Sequence, residues 1–338
     1  MSDMTLSLDV SRLGFGEQKA QEQERNLVII GAGPAGLTAG LYAGRAQLEP
    51  LLLVGQAFGG QAATTSEMEN YPGFPEGIGG MALAEQMSNQ ATRFGAEIMY
   101  EEVVSVDLKQ YPFVVRTYGP VFRAKSLIIC TGTSSRKLGV AGEERYIGRG
   151  VSFCATCDGF FYKDKTVVVV GGGDSAIDEG LYLTRFAREV IVVHRRDALR
   201  ANALLQKRAF AEPKMRFVWN SVVTEIVGDD NVTGVRVRDV NTGEETVIDA
   251  DGVFEYVGLV PNTKLFEGQL ELNEQGYIAT DRRQRTSMPG VYAAGDVQDP
   301  WYRQVVVAAG AGAAAAIEAE RWLAEKAFEE AEQAQQAG

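Results

Sequence analysis

The chain has 338 residues, of which 45% are hydrophobic and 23% charged, and this composition is typical of a folded protein of roughly two domains. Its 45 acidic and 33 basic side chains leave a net charge of −12, which argues against nucleic acid and anionic membranes as partners. Three cysteines exclude a secreted disulfide scaffold. With a single histidine, His194, they leave little material for a metal site, so no metal is predicted.

Residues 1–25 are polar and lack the apolar core of a signal peptide, so they predict a disordered N-terminal extension on a cytoplasmic protein. The next stretch, Leu27–Gly44, carries no charge and is long enough to suggest a membrane span. However, glycines such as Gly31, Gly33 and Gly36 divide it into a short strand, a tight turn and a helix. No membrane segment is therefore predicted.

Two βαβ units of the same shape follow each other along the chain, each with an apolar strand, a glycine turn, a helix and a second apolar strand. Their predicted elements, in chain order, are strand Leu27–Ile30, helix Leu37–Gln47, strand Pro50–Val54, then strand Thr166–Val170, helix Ser175–Ala187 and strand Val190–Val193.

Alternating, strand-like segments follow each unit. Residues 97–123 alternate and end in an apolar strand, Ser126–Cys130, and residues 215–256 repeat this arrangement. The later predicted elements are strands Val222–Ile226, Gly234–Val240, Thr246–Phe254, Gly276–Ile278 and Val291–Ala294, a helix from about Gln304 to Leu323, and a frayed helix after Ala324.

This repetition predicts an α/β protein with two Rossmann-like dinucleotide-binding domains of the three-layer ββα type, the second inserted in the first. We expect residues 26–135 and 263–325 to form the first domain, residues 136–262 the inserted one, and residues 326–338 a frayed tail. The chain would cross between the domains at Ser134–Gly139 and Leu259–Thr263.

The first glycine turn, Gly31-Ala32-Gly33-Pro34-Ala35-Gly36, fits the G-x-G-x-x-G pattern between a strand and a helix. Its glycines permit a tight turn, let a pyrophosphate approach the backbone, and let helix and strand pack closely. The next strand ends in Val54-Gly55-Gln56, without the carboxylate that binds a ribose, which argues against ordinary NAD at this site. The alternative is a glycine-rich turn without a ligand.

The second turn, Gly171–Ala176, fits G-x-G-x-x-A, and the strand after it ends in His194-Arg195-Arg196, with Arg200 just beyond. An acid at this point would select NAD, whereas arginines suit the 2′-phosphate of NADP. The alternative is a solvated basic helix start. Asp174 is unfavourable beside phosphates and could instead cap the helix, while His194 would line the ribose or a phosphate.

Cys154-Ala155-Thr156-Cys157 is the redox candidate, because cysteines at this spacing can form a disulfide with lowered thiol pKa values. Zinc binding and inert buried thiols are the alternatives, and Cys130 fits the core. Asp158 could give a proton to a leaving thiolate or be a turn residue. Gly295-Asp296, at the end of an apolar strand, could bind a ligand hydroxyl or cap a helix.

Together these segments resemble the low-molecular-weight, bacterial-type thioredoxin reductases. The match runs across residues 27–323 through GAGPAG at 31–36, GGQ at 59–61, ENYPGF at 69–74, CATCDGFFY at 154–162, GGGDSA at 171–176, HRRDALRA at 194–201 and GVYAAGDVQDPWYRQ at 290–304. The resemblance implies FAD in the first unit, NADPH in the inserted one, thioredoxin as protein substrate and a homodimer.

By this resemblance, FAD contacts Gly31, Gly33, Pro34, Ala35, Gly36, Gly60, Gln61, Asn70, Thr131, Gly132, Gly295, Asp296, Arg303 and Gln304. NADPH contacts Gly171, Gly173, Asp174, Ser175, Ala176, His194, Arg195, Arg196 and Arg200. Cys157 would face the flavin, Cys154 would attack the partner protein, and Asp158 would serve as the acid.

The implied reaction passes a hydride from NADPH to the flavin, which reduces the Cys154–Cys157 disulfide, and the dithiol then reduces thioredoxin. Because the cysteines precede strand Thr166–Val170, they travel with the inserted domain, so we expect a rotation about the two crossings to alternate nicotinamide and disulfide at the flavin. The alternatives are a ferredoxin–NADP reductase, a ferredoxin-driven or other-redoxin-specific disulfide reductase, a hydroperoxide-reductase flavoprotein and a nucleotide-sensing regulator.

Overall fold

The computed structural model describes residues 22–65 and 68–337. The first unit contains strands β1 (Glu22–Ile30), β2 (Leu51–Leu53), β3 (Glu97–Met99), β4 (Val103–Asp107), β5 (Phe113–Thr117), β6 (Val121–Ile129) and β7 (Thr133–Ser135), with helices α1 (Pro34–Arg45) and α2 (Gly80–Arg93). Its sheet has the order β3-β2-β1-β6-β5-β4, and a late strand, β17 (Val291–Ala293), also pairs with β6.

The inserted unit contains α3 (Glu143–Tyr146), β8 (Val151–Ser152), α4 (Ala155–Asp158), β9 (Thr166–Val170), α5 (Asp174–Leu183), β10 (Glu189–Val193), α6 (Ala203–Ala211), β11 (Met215–Val218), β12 (Ser221–Gly228), β13 (Val232–Asp239), β14 (Glu245–Asp249) and β15 (Gly252–Glu255). A parallel five-stranded sheet has the order β11-β10-β9-β15-β8, and β12-β13-β14 form a separate antiparallel sheet. The predicted fold class, with two Rossmann-like units, is confirmed.

The central strands are apolar runs because both faces of each large sheet are covered where its strands run parallel. Leu27–Ile30 and Thr166–Val170 are buried along their whole length. Helix α1 packs on one face of the first sheet beside a long C-terminal helix, α7 (Val305–Ala337), through small residues such as Ala35 and Ala315. The carboxyl ends of the strands therefore meet the starts of α1 and α7 at one edge.

The two crossings lie side by side. Strand β7 and a late strand, β16 (Leu259–Pro261), form a two-stranded antiparallel ribbon in which Leu259 pairs with Ser135 and Pro261 with Thr133. Beyond the ribbon, the Asn262 side chain bonds to the Ser134 hydroxyl at 2.7 Å. The chain therefore enters and leaves the inserted unit through adjacent, hydrogen-bonded strands.

The predicted disordered extension is wrong for Glu22–Arg25, which belong to β1 and pair with Val121–Ala124 of β6. Their side chains alternate between exposed and half-buried, because this half of β1 has one face in solvent and so needs no apolar run. Arg123 Nε also forms an ion pair with Glu22 there. The rest of the predicted extension, residues 1–21, lies outside the described residues.

Two other predicted elements differ. Thr246–Phe254 is two strands, because the chain turns at Ala250-Asp251 and Gly252 then packs so closely on the Tyr162 ring that a Cβ would overlap it. Gly276–Ile278 forms only an isolated bridge with Leu272. Helix α2 was not predicted, although Leu83, Ala84 and Ala91 recur at helical spacing and lie buried on one side of it.

The predicted tail is helical, since α7 continues to Ala337. Its last turns consist of Ala, Glu, Gln and Lys, which are strong helix formers and keep the helix without a packed apolar face. Lys326 adds an ion pair with Glu329 and lies 4.9 Å from the centre of the Trp322 ring. No helix among the described residues is long and apolar enough to cross a membrane.

Candidate functional site

The first glycine turn leaves space for a ligand at the start of α1. Gly31 has φ +106°, and a Cβ there would overlap the carbonyl oxygen of Cys130. A Cβ at Gly36 would overlap the carbonyl oxygen of Gly31. Helix α1 begins at Pro34 after Gly33, with no side-chain cap. Its first amides and the positive end of its dipole are therefore available to a phosphate.

The wall opposite this turn begins at Gly60, whose α-carbon would lie 3.8 Å from a Cβ on Gly33. Gly60 starts a short 3-10 helix, Gly60–Thr64, in which the Gln61 side-chain amide donates to the Thr133 hydroxyl at 3.0 Å. This bond joins the segment after the glycine pair to the start of the first crossing.

Four further predicted residues of the first unit lie around these elements. Thr131 Oγ1 donates to the carbonyl oxygen of Asn262 at 2.8 Å, and Gly132 has φ +62° with open space at its α-carbon. Asn70 Nδ2 donates to Gln304 Oε1 at 3.1 Å. This last bond brings the ENYPGF segment to the start of α7, as expected if both contact one ligand.

Gly295 and Asp296 complete this edge of the first sheet. Gly295 has φ +79°, and a Cβ there would lie 2.9 Å from that of Ala35 in α1. Burial, reinforced by the charge of Asp299 and opposed by Arg303, raises the pKa of Asp296 to about 6. Within residues 22–65 and 68–337 no donor bonds to this carboxyl group, so it can accept a hydroxyl of a ligand.

The second glycine turn is packed as tightly against its neighbours as the first. Gly171 has φ +147°, and a Cβ there would come within 2.5 Å of the carbonyl oxygen of Tyr256 and 2.8 Å of Ala176 Cβ. Gly173 precedes α5, which has no side-chain cap, and Ser175 is exposed in its first turn. This turn offers the same uncapped helix start as the first.

The expectation that Asp174 caps α5 is wrong, because Asp174 is the first residue of the helix and Gly173 is its N-cap. The Asp174 carboxylate instead accepts from the backbone amide of Asn202 at 2.7 Å and from its side chain at 3.2 Å. Asn202 in turn caps α6. Asp174 therefore ties the glycine turn to the next helix.

Three exposed arginines surround the end of β10. Arg195, Arg196 and Arg200 form no ion pair with any residue that the structure describes. A Cβ on Gly173 would lie 4.0 Å from Arg200 Nη2, so the guanidinium reaches the glycine turn. Three uncompensated positive charges at this position fit a phosphate monoester.

His194 is buried, with 4% of its surface exposed, and its ring packs against Gly172. Burial, followed by the charges of Arg200, Arg196 and Arg195, lowers its pKa, so the ring is neutral at pH 7. Nε2 has no hydrogen-bond partner among the described residues. The side chain therefore supports the glycine turn without adding a charge to it.

The redox candidate lies between the two units. Cys154 is disulfide-bonded and precedes α4, whose backbone includes Cys157. Cys154 Sγ lies 3.9 Å from the carbonyl oxygen of Thr64 and 3.3 Å from Thr156 Oγ1. The Thr156 hydroxyl also contacts the Thr64 carbonyl oxygen. The redox segment of the inserted unit, which we define as Cys154–Cys157, thus touches the 3-10 helix that starts at Gly60.

Asp158 ends α4 in a half-buried position, and its amide bonds to the carbonyl oxygen of Cys154 at 3.2 Å. Cys130 is a free thiol, and burial raises its pKa far above the ordinary range, as expected for a core cysteine. The described residues contain no group of His, Cys, Asp and Glu side chains that could hold a metal ion.

Sequence reasoning missed the residues that fix the redox segment from behind. The Ser152 hydroxyl accepts from the Cys154 amide at 3.1 Å, and the Tyr256 hydroxyl accepts from the Ala155 amide at 2.9 Å. Tyr256 also bonds to Glu179 in α5 at 3.5 Å. Ser152, Tyr256 and Glu179 gave no sign of this role in the sequence, because nothing in the local strand and helix pattern sets them apart from their neighbours.

The chain matches the family model of the pyridine nucleotide-disulphide oxidoreductases over residues 25–312. It is 51% identical over 302 residues to a thioredoxin reductase of Mycolicibacterium smegmatis, covering 89% of this chain and 97% of the relative. It is 52% identical over 303 residues to a thioredoxin reductase of Streptomyces clavuligerus, with coverages of 89% and 94%.

Solved structures show the same likeness. Thioredoxin reductase of Lactococcus lactis in its FR conformation has a TM-score of 0.85 at 44% identity, covering 89% of this chain and 99% of that one. The Streptococcus pyogenes enzyme, also 44% identical, has a TM-score of 0.61 with coverages of 90% and 100%. The resemblance to the thioredoxin reductases is confirmed, and the chain belongs to the pyridine nucleotide-disulphide oxidoreductase family.

Proposed function

We propose that the chain is an NADPH-dependent thioredoxin reductase. The observation that carries this function is the disulfide-bonded Cys154, held against the 3-10 helix Gly60–Thr64 of a unit whose glycine turn fits a dinucleotide. Relatives at about 50% identity over most of their length bear this activity in their names.

The residues of the first unit fit FAD. A Cβ on Gly31 or Gly36 would overlap the backbone, one on Gly33 would lie 3.8 Å from the α-carbon of Gly60, and the helix behind the turn has no side-chain cap. The FAD contacts are assigned, as a proposal, to Gly31, Gly33, Pro34, Ala35, Gly36, Gly60, Gln61, Asn70, Thr131, Gly132, Gly295, Asp296, Arg303 and Gln304. When bound, FAD supplies two-electron transfer between a nicotinamide and a disulfide.

The inserted unit fits NADPH, because its glycine turn is flanked by three exposed guanidinium groups where an NAD site carries an acid. Arg195, Arg196 and Arg200 would hold the 2′-phosphate. Gly171, Gly173, Ser175 and Ala176 would line the pyrophosphate, with Asp174 and His194 as the neighbours that fix the turn.

In the protein half-reaction, the Cys154 thiolate attacks one sulfur of the thioredoxin disulfide, which forms a mixed disulfide and releases one thioredoxin thiolate. That thiolate takes up a proton, for which Asp158 is the assigned donor. The Cys157 thiolate then attacks the Cys154 sulfur, which restores the enzyme disulfide and releases the second thioredoxin thiol. The roles of the two cysteines rest on the family resemblance.

The inserted unit, proposed as residues 136–262, would rotate about the ribbon of β7 and β16. Among the described residues, this short ribbon is the only strand pairing between the two crossings. Two solved relatives of equal identity differ widely in TM-score, 0.85 against 0.61, as two arrangements of rigid domains would produce. Such a rotation would bring the nicotinamide and the disulfide to FAD in turn.

We further propose a cytoplasmic homodimer that binds neither nucleic acid nor membranes. Helix α7 supports a second copy as partner, because Val306, Gly310 and Ile317 are exposed along one face of it. The net charge of −12 opposes phosphate backbones and anionic lipids.

An anaerobic titration of the purified yellow protein tests this function. NADPH should bleach the flavin absorbance, and oxidised thioredoxin should restore it with an equal amount of thioredoxin dithiol formed. If NADPH does not reduce the flavin but reduced ferredoxin does, the ferredoxin-driven alternative replaces the proposal. If the flavin is reduced but only another redoxin reoxidises it, the substrate assignment is wrong.

A further inference from the structure

A phenol and a carboxyl group lie directly behind the redox segment. The Ala155 amide, the first after Cys154, donates to the Tyr256 hydroxyl at 2.9 Å, and this hydroxyl donates to Glu179 Oε2 at 3.5 Å. Glu179 is thus joined through Tyr256 to the backbone nitrogen that follows the redox cysteine, and this amide also interacts with the Glu179 carboxyl group itself. Ala155 is fully buried, so no water replaces this arrangement at the amide.

Glu179 also lines a cavity of about 200 Å³ that borders the redox segment. Thr156, which lies directly before Cys157 in the sequence, lines the same cavity. The charged and titratable groups around Glu179 and Tyr256 are Asp178 and Tyr182 on α5, Asp158 on α4, Glu69 of the first unit, and Arg185 and Arg208 at the cavity wall. Burial, reinforced by Asp178, raises the pKa of Glu179 to about 7, while the Ala155 amide and Tyr256 oppose the rise.

We propose that Glu179 is a positioning residue that, through Tyr256, holds the redox segment and keeps a proton beside it, so that its ionisation controls the reactivity of the Cys154 thiol. Reduction of a disulfide takes up two electrons and two protons and yields two thiols. A thiol that ionises to attack thioredoxin returns one proton. A protonated Glu179 is uncharged and does not repel the resulting thiolate, whereas an ionised Glu179 repels it and so raises the pKa of the thiol.

The inference deepens the proposed function and rests on it, but thiol reactivity can be measured without turnover. In the holoenzyme carrying Cys157→Ser, the rate of Cys154 alkylation by iodoacetamide reports the thiolate fraction. With Glu179 present, we expect the rate to rise less steeply above pH 7. Glu179→Gln should raise the rate at pH 8 by ~3–10-fold, which is up to about one unit in the thiol pKa, and change it less than about twofold at pH 6.

Two further variants separate charge from structure. Asp178→Asn removes a charge that raises the pKa of Glu179, so it should move the inflection of the profile to lower pH without abolishing it. Tyr256→Phe removes the link to the Ala155 amide, so Glu179→Gln should have a smaller effect in that background. Bound-FAD absorbance and melting temperature verify the fold of each variant.

The proposal is overturned if Glu179→Gln changes alkylation by the same factor at pH 6 and pH 8, because that result would mean a structural role alone. It is also overturned if the two profiles coincide. Neither result bears on whether NADPH and thioredoxin are substrates, which steady-state turnover of the chain with both native cysteines measures separately.

Discussion

Glu255 and Glu143 place two buried carboxyl groups against each other where the chain crosses between the units. Glu255, at the end of β15, is fully buried, and only 1% of Glu143 is exposed. Glu143 accepts hydrogen bonds from the backbone amides of Leu138 and Gly139 in the first crossing, at 2.9 and 2.5 Å. Glu255 precedes the second crossing, and neither of its carboxyl oxygens has a hydrogen-bond partner among the described residues, so the two acidic groups face each other where the crossings meet.

This pair makes stability depend on pH. Burial, reinforced by Glu143 and opposed by the Leu138 amide and Lys137, raises the pKa of Glu255 to about 8 from 4.5. The folded chain therefore keeps a proton that the unfolded chain loses, so the contribution is complete below pH 4.5 and disappears as the pH rises to about 8. One such group changes the free energy of unfolding by at most about 1.4 kcal/mol per pH unit.

We therefore expect Glu255→Gln to reduce the fall in melting temperature between pH 5.5 and pH 8.5, while the exposed Glu244→Gln leaves it unchanged. Thermal unfolding followed by circular dichroism at both pH values measures this difference. An equal fall in all three proteins would mean that Glu255 is already ionised at pH 5.5.

Cofactor preference depends on the arginines after β10. Changing Arg195 and Arg196 to Ala should raise the KM for NADPH by ~30–100-fold, since each charge-assisted bond to a phosphate contributes about 1.5–3 kcal/mol before solvent exposure weakens it. The KM for NADH should change little. Arg238→Ala on β13 is the matched control. Equal losses with both nucleotides would contradict the NADPH assignment.

The two cysteines should differ in their effect on the flavin. Cys154→Ser and Cys157→Ser should both abolish thioredoxin reduction but retain FAD and its reduction by NADPH. With Cys157 remaining, its thiolate should perturb the flavin absorbance, whereas Cys154 alone should not. Identical spectra of the two variants would show that their roles are assigned in the wrong order.

The first glycine turn should tolerate no side chain. In Gly36→Ala, the added methyl group would overlap the carbonyl oxygen of Gly31, so we expect the protein to purify without FAD and to melt at lower temperature. Asn89→Ala changes an exposed residue near the end of α2, away from the glycine turn, and it should retain FAD. The ratio of flavin to protein absorbance gives the result.

Domain rotation can be tested at the cavity between the units. Glu69 of the first unit and Arg208 of the inserted unit line this cavity, and cysteines there can be joined by a bis-maleimide while the native pair is oxidised. The joined enzyme should lose more than about tenfold of its thioredoxin turnover, and each singly labelled variant should not. Normal turnover of a verified cross-linked enzyme would mean that one arrangement serves both half-reactions.

The parts of the fold that follow from local pattern were predictable from the sequence. The apolar strands that end at Ile30 and Val170, each followed by a glycine turn, identified both units. A buried parallel strand followed by such a turn is typical of a dinucleotide-binding unit. The pairing of residues distant in sequence was not predictable. Nothing in the run Gly252–Glu255 indicates that Glu255 meets Glu143, since a carboxyl group in a buried strand contradicts the pattern on which the prediction rests.

The same applies within the site. The spacing of Cys154 and Cys157 pointed to the redox centre, and the arginines pointed to NADPH. Tyr256 and Glu179 carried no signal, because their contact depends on how β15 and α5 pack around the segment after Ser152. The hydrogen bond from the Asn202 amide to the Asp174 carboxylate likewise required the position of α6.

The insertion of one unit in the other also determines the order in which the two units can be completed during synthesis. The inserted unit is continuous in sequence, so all its strands have left the ribosome once Pro261 has emerged. The first unit lacks β17 and α7 until residues 291–322 follow, and without them β6 and α1 are uncovered. The unit that begins first is therefore finished last, and its exposed apolar edge is the part of the nascent chain that most needs protection.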